Sequence, residues 1–508
     1  GAVLARLRET GALLGSRQTR QAVGVHERCL TPVEFQIRPQ WFIAVRDRRD
    51  RLRARADELE WIPPFMKRRL EDWIDGLRWD WNITRQRHYG VPFPVWFCRG
   101  CDRPVLAGLD RLPVDPLSDP PPVTACPDCG SGDFAGDPDV MDTWMTSSLS
   151  PQINDGWALH GLRPDPAVAP MSLRVQAFEI IRTWLFYSLV QADYHFGRIP
   201  WRAAMISGWG LNEQGRKISK RDLDQTEGAY NRYVPDDVID RYGADALRLW
   251  ATRARVGADL RYTEKDVRVG RKFAVKLWNV ARFIELNSTG FDPSGEPPPA
   301  AARTPVDRWL LSHLANTVAE VTAAFDGYDV TQAYAAASRF FWSTYCDRYI
   351  EMVKERFLVP EAHPDSDRDS AQWTLWQSFR VLLGLFAPFA PFVTEHLYQR
   401  RYAPAERAVS LHLTRWPGVD RDWLAGERDA IDQMTTVLDA VRTLRGHHQL
   451  GNSARVRRLI LDPGTGTARA LAEAIAEPLR SAARAHRVVY GSAAHPSGVP
   501  DLGVDIAV

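Results

Sequence analysis

The feature that most constrains this chain is a pair of Cys-x-x-Cys motifs. Cys98 and Cys101 form the first motif, Cys126 and Cys129 form the second, and 24 residues separate the two. Each motif can present both sulfur atoms to one ion, and four thiolates complete a tetrahedral zinc site with no open position. Residues 98–140 are polar and rich in Pro and Gly, so they need such an ion to fold. The pattern predicts a structural Zn²⁺, with unrelated buried thiols as the alternative.

The cysteine content as a whole argues against disulfide bonds. Six cysteines in 508 residues are too few for a disulfide framework, and no secretory signal opens the sequence. Paired cysteines in such a chain indicate metal binding in a reducing compartment, and we expect a cytoplasmic protein. His26 and Cys29 form a looser pair, which we interpret as ordinary packing, with a second metal site as the alternative.

Length and composition indicate a multidomain protein. Hydrophobic residues make up 45% and charged residues 25% of a chain that is too long for one core. The formal net charge of +2 argues against a wholly basic nucleic-acid coat protein and leaves room for local basic patches. A linker rich in Pro, Gly and Ser, residues 292–305, separates an α/β part from a part with helical patterns.

Apolar periodicity predicts the main elements on both sides of this linker. Residues 171–196 carry apolar positions at helical spacing, and residues 203–211 form a buried strand. A helix bundle follows in residues 306–400. Three further elements are predicted near the end of the chain: a helix over 429–445, a strand over 457–461 and a helix over 467–487.

Two of the seven lysines lie three positions apart in the loop after the predicted strand. Lys217 and Lys220 flank Ile218 and Ser219, and Arg221 follows. Lysine is a mobile point charge that suits a triphosphate. A solvated basic loop is the alternative, which spacing alone favours.

This loop resembles the Lys-Met-Ser-Lys-Ser motif of the class I aminoacyl-tRNA synthetases, and its flanks resemble the valyl type. The similarity runs from about residue 23 to about residue 461, in the order of the family. The supporting stretches are Trp81–Gln86, Asp139–Trp144, Thr146–Leu149, Tyr242–Arg248, Gly257–Leu260, Gly270–Phe273, Lys276–Asn279, Asp307–Trp309, Trp342 with Tyr345–Asp347, and Ala387–Phe392.

The resemblance implies a multidomain α/β plus α protein. A partial Rossmann-type parallel sheet with a zinc-ribbon insert would precede an anticodon-binding helix bundle and a small α+β carboxyl-terminal region. The implied domains are the tail of an editing insertion (1–60), the second half of the catalytic domain (61–97 and 141–210), the zinc insert (98–140), the lysine-loop and stem-contact domain (211–300), the helix bundle (301–425) and the carboxyl-terminal region (426–508).

The resemblance also implies an activity and its partners. A valine–tRNA ligase activates valine with ATP and Mg²⁺ and transfers it to its tRNA. Lys217, Ser219 and Lys220 would be the catalytic residues. Ala177 and Glu179, with the two lysines, would bind ATP, and Glu179 would lie near the ribose. No membrane partner is implied.

Several departures from the family leave an alternative open. No His-x-Gly-His motif occurs, so we expect that the amino-terminal part is lacking and that these 508 residues alone are inactive. Ala177-Phe178-Glu179 stands where the family has Gly-His-Asp, and Arg221 replaces Ser. These changes favour, as the alternative, a non-enzymatic or repurposed paralogue that binds tRNA or another partner.

For the helix bundle we expect a tRNA-binding face made of arginine and exposed aromatic residues. Arg339, Arg348 and Arg356 are the candidate arginines for that face. We expect Trp309, Trp342 and Phe392 to be core residues instead.

Overall fold

The computed structural model describes residues 2–20, 22–26, 29–34, 37–87, 89–157, 170–219, 230–424, 429–451 and 454–508. Two compact units are present: residues 1–52 with 74–150, and residues 53–73 with 151–508. Among the described helices, none has the length and apolar character needed to cross a bilayer. Of the predicted site residues, Lys220 and its neighbour Arg221 lie outside the described residues.

The strands of six or more residues all lie in the second unit. The strands are β1 (Phe42–Ile43), β2 (Glu60–Ile62), β3 (Trp81–Asn82), β4 (Thr84–Arg85), β5 (Val95–Cys98), β6 (Pro104–Leu106), β7 (Phe134–Gly136), β8 (Val140–Met141), β9 (Met171–Ala177), β10 (Trp201–Ser207), β11 (Gly210–Leu211), β12 (Leu260–Arg261), β13 (Val456–Pro463), β14 (Ala485–Tyr490), β15 (His495–Pro496) and β16 (Leu502–Ala507).

The longest helices lie after residue 260. The helices are α1 (Ala2–Glu9), α2 (Arg49–Asp57), α3 (Lys67–Asp75), α4 (Thr143–Ser147), α5 (Ser150–Asn154), α6 (Phe186–Phe196), α7 (Pro235–Tyr242), α8 (Ala244–Ala251), α9 (Glu264–Leu286), α10 (Pro305–Asp326), α11 (Val330–Arg339), α12 (Ile350–Val353), α13 (Glu355–Leu358), α14 (Asp365–Phe386), α15 (Pro391–Arg401), α16 (Ala403–Glu406), α17 (Asp429–His447) and α18 (Gly466–Ala483). Ile181–Leu185 and Phe340–Tyr349 are π-helical.

The second unit contains the predicted parallel sheet. Its strand order is β2-β10-β9, and both neighbours run parallel to β10. Buried Trp201, Ala203 and Ile206 make β10 the apolar centre of the sheet. The register pairs Ser207 with Ala177, so β9 and β10 end at the same edge. The partial Rossmann-type sheet expected from the sequence is confirmed.

One prediction in this region is wrong. Residues 171–177 form strand β9, although their apolar spacing predicts a helix over 171–196. Pairing along β10 satisfies the backbone of this segment, and that tertiary gain overrides the local periodicity. Helical structure begins only at Phe178.

The predicted helix bundle is also present. Its helices α10, α11, α14 and α15 pack around a core that includes buried Phe341, Tyr345, Phe379 and Phe386. A four-stranded sheet of order β14-β13-β16-β15 follows, packed against α17 and α18. The predicted helix over 467–487 ends early, because Arg484 takes a left-handed conformation (φ 53°) and the chain enters β14.

A buried carboxylate organises the bundle near the start of α10. Asp307 accepts hydrogen bonds from Tyr349 Oη at 2.6 Å and from Ser370 Oγ at 2.6 Å. Its other partner is the buried Arg356 guanidinium, with Nη1 3.0 Å from Asp307 Oδ2. Thr304 caps α10 and also donates to this carboxylate at 2.7 Å. Asp307 therefore joins α10 to three other helical segments through one charged group.

Asp307→Ala is expected to lower the free energy of unfolding by about 3–5 kcal/mol, because it leaves the buried Arg356 charge without a carboxylate to neutralise it. Urea unfolding followed by circular dichroism measures this change. Asp365→Ala is the matched control, since Asp365 is exposed and pairs with Arg368 within its own helix. The control is expected to shift stability by less than about 1 kcal/mol. Equal effects of the two substitutions would contradict the central role of Asp307.

Candidate functional site

The lysine loop is anchored at the edge where β9 and β10 end. Gly208 follows β10, and a Cβ there would lie 2.3 Å from the backbone of Ala258. Trp209 N donates to Asp259 Oδ1 at 2.8 Å, and β11 then pairs in parallel with β12. The Gly257–Leu260 stretch found in the sequence thus forms the wall against which the loop folds.

A tight hairpin then sets the position of Lys217. Asn212 Oδ1 accepts hydrogen bonds from the backbone N–H groups of Gln214 and Arg216 at 3.1 and 2.9 Å. Gly215 supplies the positive φ (79°) that the turn requires. A β-bridge between Leu211 and Lys217 closes the hairpin. The lysine side chain therefore emerges from an ordered backbone rather than from a loose surface loop.

The Lys217 ammonium lies against two groups at the sheet edge. Its Nζ atom is 2.6 Å from both carboxylate oxygens of Glu179. It also lies 4.9 Å from the ring centroid of Trp209, whose indole N–H donates to Glu179 at 3.1 Å. The hydrogen bond from Lys217, assisted by Trp209, holds the pKa of the Glu179 carboxyl below its usual value. All three side chains remain partly open to solvent.

The structure brings some predicted ATP-site residues together. Lys217 and Glu179 touch, and Ala177 lies at the end of β9, two residues before Glu179. Ser219 is exposed in the same loop. Lys220 lies outside the described residues.

Sequence reasoning missed the aromatic part of this site. The Phe178 ring packs against Trp209 at a tilt of 44°, with 4.7 Å between ring centroids. The Arg69 guanidinium lies 4.5 Å from the centroid of the Phe178 ring. Trp209 stands between Gly208 and Gly210 directly after a buried strand. That placement, an aromatic residue at the edge of a parallel sheet, was the available signal.

The four predicted metal-ligating sulfur atoms converge within the first unit. The Sγ atoms of Cys98 and Cys129 are 3.5 Å apart, and those of Cys101 and Cys126 are 3.6 Å apart. All four lie within 4.8 Å of one another. Sulfur atoms around a tetrahedral zinc ion are separated by about 3.8 Å. The donor set and its spacing therefore fit one zinc ion, and Cys98 at the end of β5 ties it to the small β6-β5-β7 sheet.

His26 and Cys29 also meet, with Nδ1 3.2 Å from Sγ. Two donors are too few for a metal site, and Thr31 supplies only a hydroxyl beside the thiol.

A cationic groove lies along helix α9. It encloses about 460 Å³ and is lined by four cationic side chains, two aromatic rings, Val275 and Asn279. The cations are Arg268, Arg271, Lys272 and Lys276, and the rings belong to Tyr242 and Trp342. No ion pair joins these four cations to a carboxylate in the described part of the chain.

The arginines predicted for the bundle surface are less suitable than the α9 groove for binding a polyanion. Arg356 is buried against Asp307, so its assignment to an exposed face is wrong. Arg339 and Arg348 are paired with Glu320 and Asp439, both at 2.8 Å. Their charges are already compensated, whereas those of the groove are not.

The three aromatic residues expected in the core differ in their burial. Trp309 is buried and Trp342 is half-buried against the core, but Phe392 is 65% exposed. The expectation of a core position for Phe392 is therefore wrong: it lies in the first turn of α15, where its backbone N–H bonds to Asp245 at 3.2 Å. The N–H of Val393 bonds to the same carboxylate at 2.7 Å. Asp245 belongs to the Tyr242–Arg248 stretch, so two of the family-like motifs meet at the start of α15.

Two family models match the chain. The model of the class I tRNA synthetases for I, L, M and V covers residues 18–263. The model of the anticodon-binding domain of tRNA ligases covers residues 307–460. The chain carries a class I tRNA synthetase domain followed by the anticodon-binding domain of a tRNA ligase.

Curated relatives of this synthetase chain include valine--tRNA ligases. That of Haloarcula marismortui is 40% identical over 87% of this chain and 47% of its own length. That of Methanopyrus kandleri is 38% identical over 96% of this chain and 52% of its own length. The synthetase chain thus spans about half the length of the curated relatives it matches.

A solved structure supports the fold alone. Mycobacterium tuberculosis methionyl-tRNA synthetase, in complex with methionyl-adenylate, matches with a TM-score of 0.52 and 17% identity. The match covers 78% of this synthetase chain and 70% of that protein.

The cysteine cluster generates a direct prediction. The purified 508-residue chain should hold about one tightly bound zinc ion, and Cys126→Ser should lose it, because three thiolates bind the ion far less tightly. Elemental analysis of protein never exposed to chelator measures the content. Cys29→Ser, an exposed thiol outside the cluster, should keep the ion. A wild-type chain without zinc would contradict the assignment of the four cysteines as a zinc site.

Proposed function

We propose that this chain carries part of a valine–tRNA ligase, which activates valine with ATP and transfers it to its tRNA. The observation that carries the proposal is the match to valine--tRNA ligases at 35–41% identity over 81–96% of the chain. These relatives support the ligase over the repurposed paralogue that the sequence left open.

Lys217, Ser219 and Lys220 would act on the phosphates of ATP. Attack of a carboxylate on the α-phosphate needs charge neutralisation more than covalent help, and mobile ammonium groups provide it. Nucleotides bind beyond the carboxyl ends of parallel strands, where the Lys217 hairpin is anchored. Mg²⁺ would accompany the ATP and share in neutralising its phosphates.

Glu179 would take part in two ways. Glu179 neutralises Lys217, and a triphosphate would compete with it for the ammonium. The ion pair is solvent-exposed, so separating it costs no more than about 1 kcal/mol. Glu179 would then be free to turn toward the ribose, beside Ala177 at the end of β9.

The zinc ion would be structural. Four sulfur ligands leave no coordination position for substrate, so Cys98, Cys101, Cys126 and Cys129 would hold the insert together and supply no chemistry.

The α9 groove would contact tRNA. Unpaired arginine and lysine side chains neutralise phosphates, and nearby aromatic rings can stack on unpaired bases. Three of the seven lysines, Lys265, Lys272 and Lys276, lie on this helix. That clustering makes α9 a better candidate than the arginines of the bundle.

Lys217→Ala and Lys220→Ala are each expected to slow adenylate formation by about 10²–10³-fold, because each removes a cation acting on transition-state charge. Single-turnover valine-dependent adenylation is measured in a longer form that includes a His-x-Gly-His half. Lys67→Ala is the control, since Lys67 pairs with Asp57 on the protein surface. Unchanged rates in both loop variants would make the hairpin an ordinary surface feature.

The groove is tested by RNA binding with the 508-residue chain. Arg268→Gln with Lys272→Gln should weaken binding of valine tRNA and lower the slope of log affinity against log salt by about 2, one for each lost phosphate contact. Arg339→Gln with Arg348→Gln, which removes two carboxylate-paired charges, should change the slope much less. The opposite ranking, measured by fluorescence titration between about 50 and 200 mM salt, would move the tRNA face to the bundle.

A further inference from the structure

A second basic surface lies in the carboxyl-terminal sheet, at the start of its two parallel strands. Each of these strands begins with a short basic run. The first run is Arg455, Arg457 and Arg458, and the second is Arg484, His486 and Arg487. The second run and most of the sheet lie beyond residue 460, where the match to the anticodon-binding family model ends.

The register of β13 and β14 aligns these runs. Val456 pairs with Ala485, and Arg458 pairs with Arg487. The same offset sets Arg457 opposite His486. Arg457, Arg458, His486 and Arg487 are all exposed. Side chains at opposed positions of paired strands are neighbours on the same face of the sheet, so Arg458 and Arg487 form one basic patch. Side chains alternate between faces along a strand, so Arg457 and His486 lie together on the opposite face.

The patch lacks compensating charge. Among the described residues, Arg455, Arg457, Arg458 and Arg487 form no ion pair, and Arg484 has only Glu351 at 3.8 Å. The neighbouring strand β16 places Ala507 beside Arg458. The nearest acidic residue on β16 is Asp505, which pairs with Ile460, two positions beyond Arg458. Asp505 lies 3.7 Å from His495.

This arrangement is unfavourable for a free surface. Like charges directly opposite each other on paired strands repel, and a nearby carboxylate would relieve the repulsion at little cost. Other surface arginines have such a carboxylate, as with Arg339, Arg348 and Arg480. A bound polyanion removes the repulsion and releases counterions as it does so.

We propose that the patch formed by Arg458 and Arg487 binds the phosphate backbone of RNA, as a contact separate from the α9 groove. The inference rests on the proposed function in one respect, since tRNA is the polyanion which that function supplies. Phosphate contacts carry no sequence information, so the patch strengthens binding of tRNA without selecting the valine isoacceptor.

The test uses the 508-residue chain and two fluorescent tRNAs, one for valine and one for another amino acid. Arg458→Gln with Arg487→Gln should reduce affinity for both tRNAs by about tenfold or more at 100 mM salt and lower the salt slope by about 2. Arg458→Lys with Arg487→Lys keeps the charges and should retain most of the slope. Arg68→Gln with Arg368→Gln, which removes two arginines paired within their own helices, should behave as wild type.

A melting curve separates binding from folding. Because the Gln variant removes a like-charge contact, its melting temperature should be unchanged or higher. Weakened binding together with a lower melting temperature, not rescued by the Lys variant, would mean a structural role and overturn the proposal. Wild-type affinity and a wild-type salt slope in the Gln variant would also overturn the proposal. An acidic protein surface would then be the better candidate partner for the patch.

The outcomes distinguish this inference from the proposed function. A wild-type chain that binds tRNA, with the groove variant weakened and the patch variant unaffected, rejects the patch alone. A wild-type chain that binds neither tRNA removes the RNA partner on which both depend.

Discussion

The close approach of two backbone segments, at Gly208 and Ala258, is the constraint on which the rest of the second unit depends. Any side chain at position 208 would overlap the Ala258 backbone, so only glycine allows β10 to continue directly into the β11–β12 ladder. The ladder in turn holds the Lys217 hairpin at the end of the parallel sheet. The same ladder leads through Thr263, which caps α9, into the helix that carries the cationic groove. One steric contact thus fixes the origin of both candidate sites.

Whether a cation is paired with a carboxylate says more about polyanion binding in this molecule than the net charge does. The chain has 65 basic and 63 acidic residues, so its net charge says little about nucleic-acid binding. Arg356 is buried on Asp307, and Arg339 and Arg348 are paired at the surface. By contrast, the groove on α9 and the patch at the start of β13 and β14 keep cations side by side. Uncompensated cations are the ones that gain most when a polyanion binds.

Much of this organisation could be predicted from the sequence. The cysteine spacing predicted a cluster that the fold brings together, and the apolar patterns located the bundle. Local patterns failed where a distant partner decides the outcome. Residues 171–177 become a strand because β10 lies beside them. Arg356 is buried because it pairs with Asp307, which lies 49 positions earlier in the sequence. Phe392 is exposed in the first turn of α15, a turn whose backbone N–H groups bond to Asp245, 147 positions earlier. Nothing in a single sequence reveals such pairings in advance.

The length of α9 has a consequence for communication along the chain. Its 23 residues span about 35 Å at 1.5 Å per residue. One end follows the ladder that supports the lysine hairpin, and the other packs Leu277, Val280 and Ile284 into the bundle core. A rigid rod of that length amplifies rotation, and a tilt of about 5° at one end displaces the other by about 3 Å. Asp245 adds a second strut between α8 and α15, so the linked segments should pivot together rather than bend. A small rotation of the bundle about its own core would therefore reach the ladder beneath the lysine hairpin as a displacement of several ångströms.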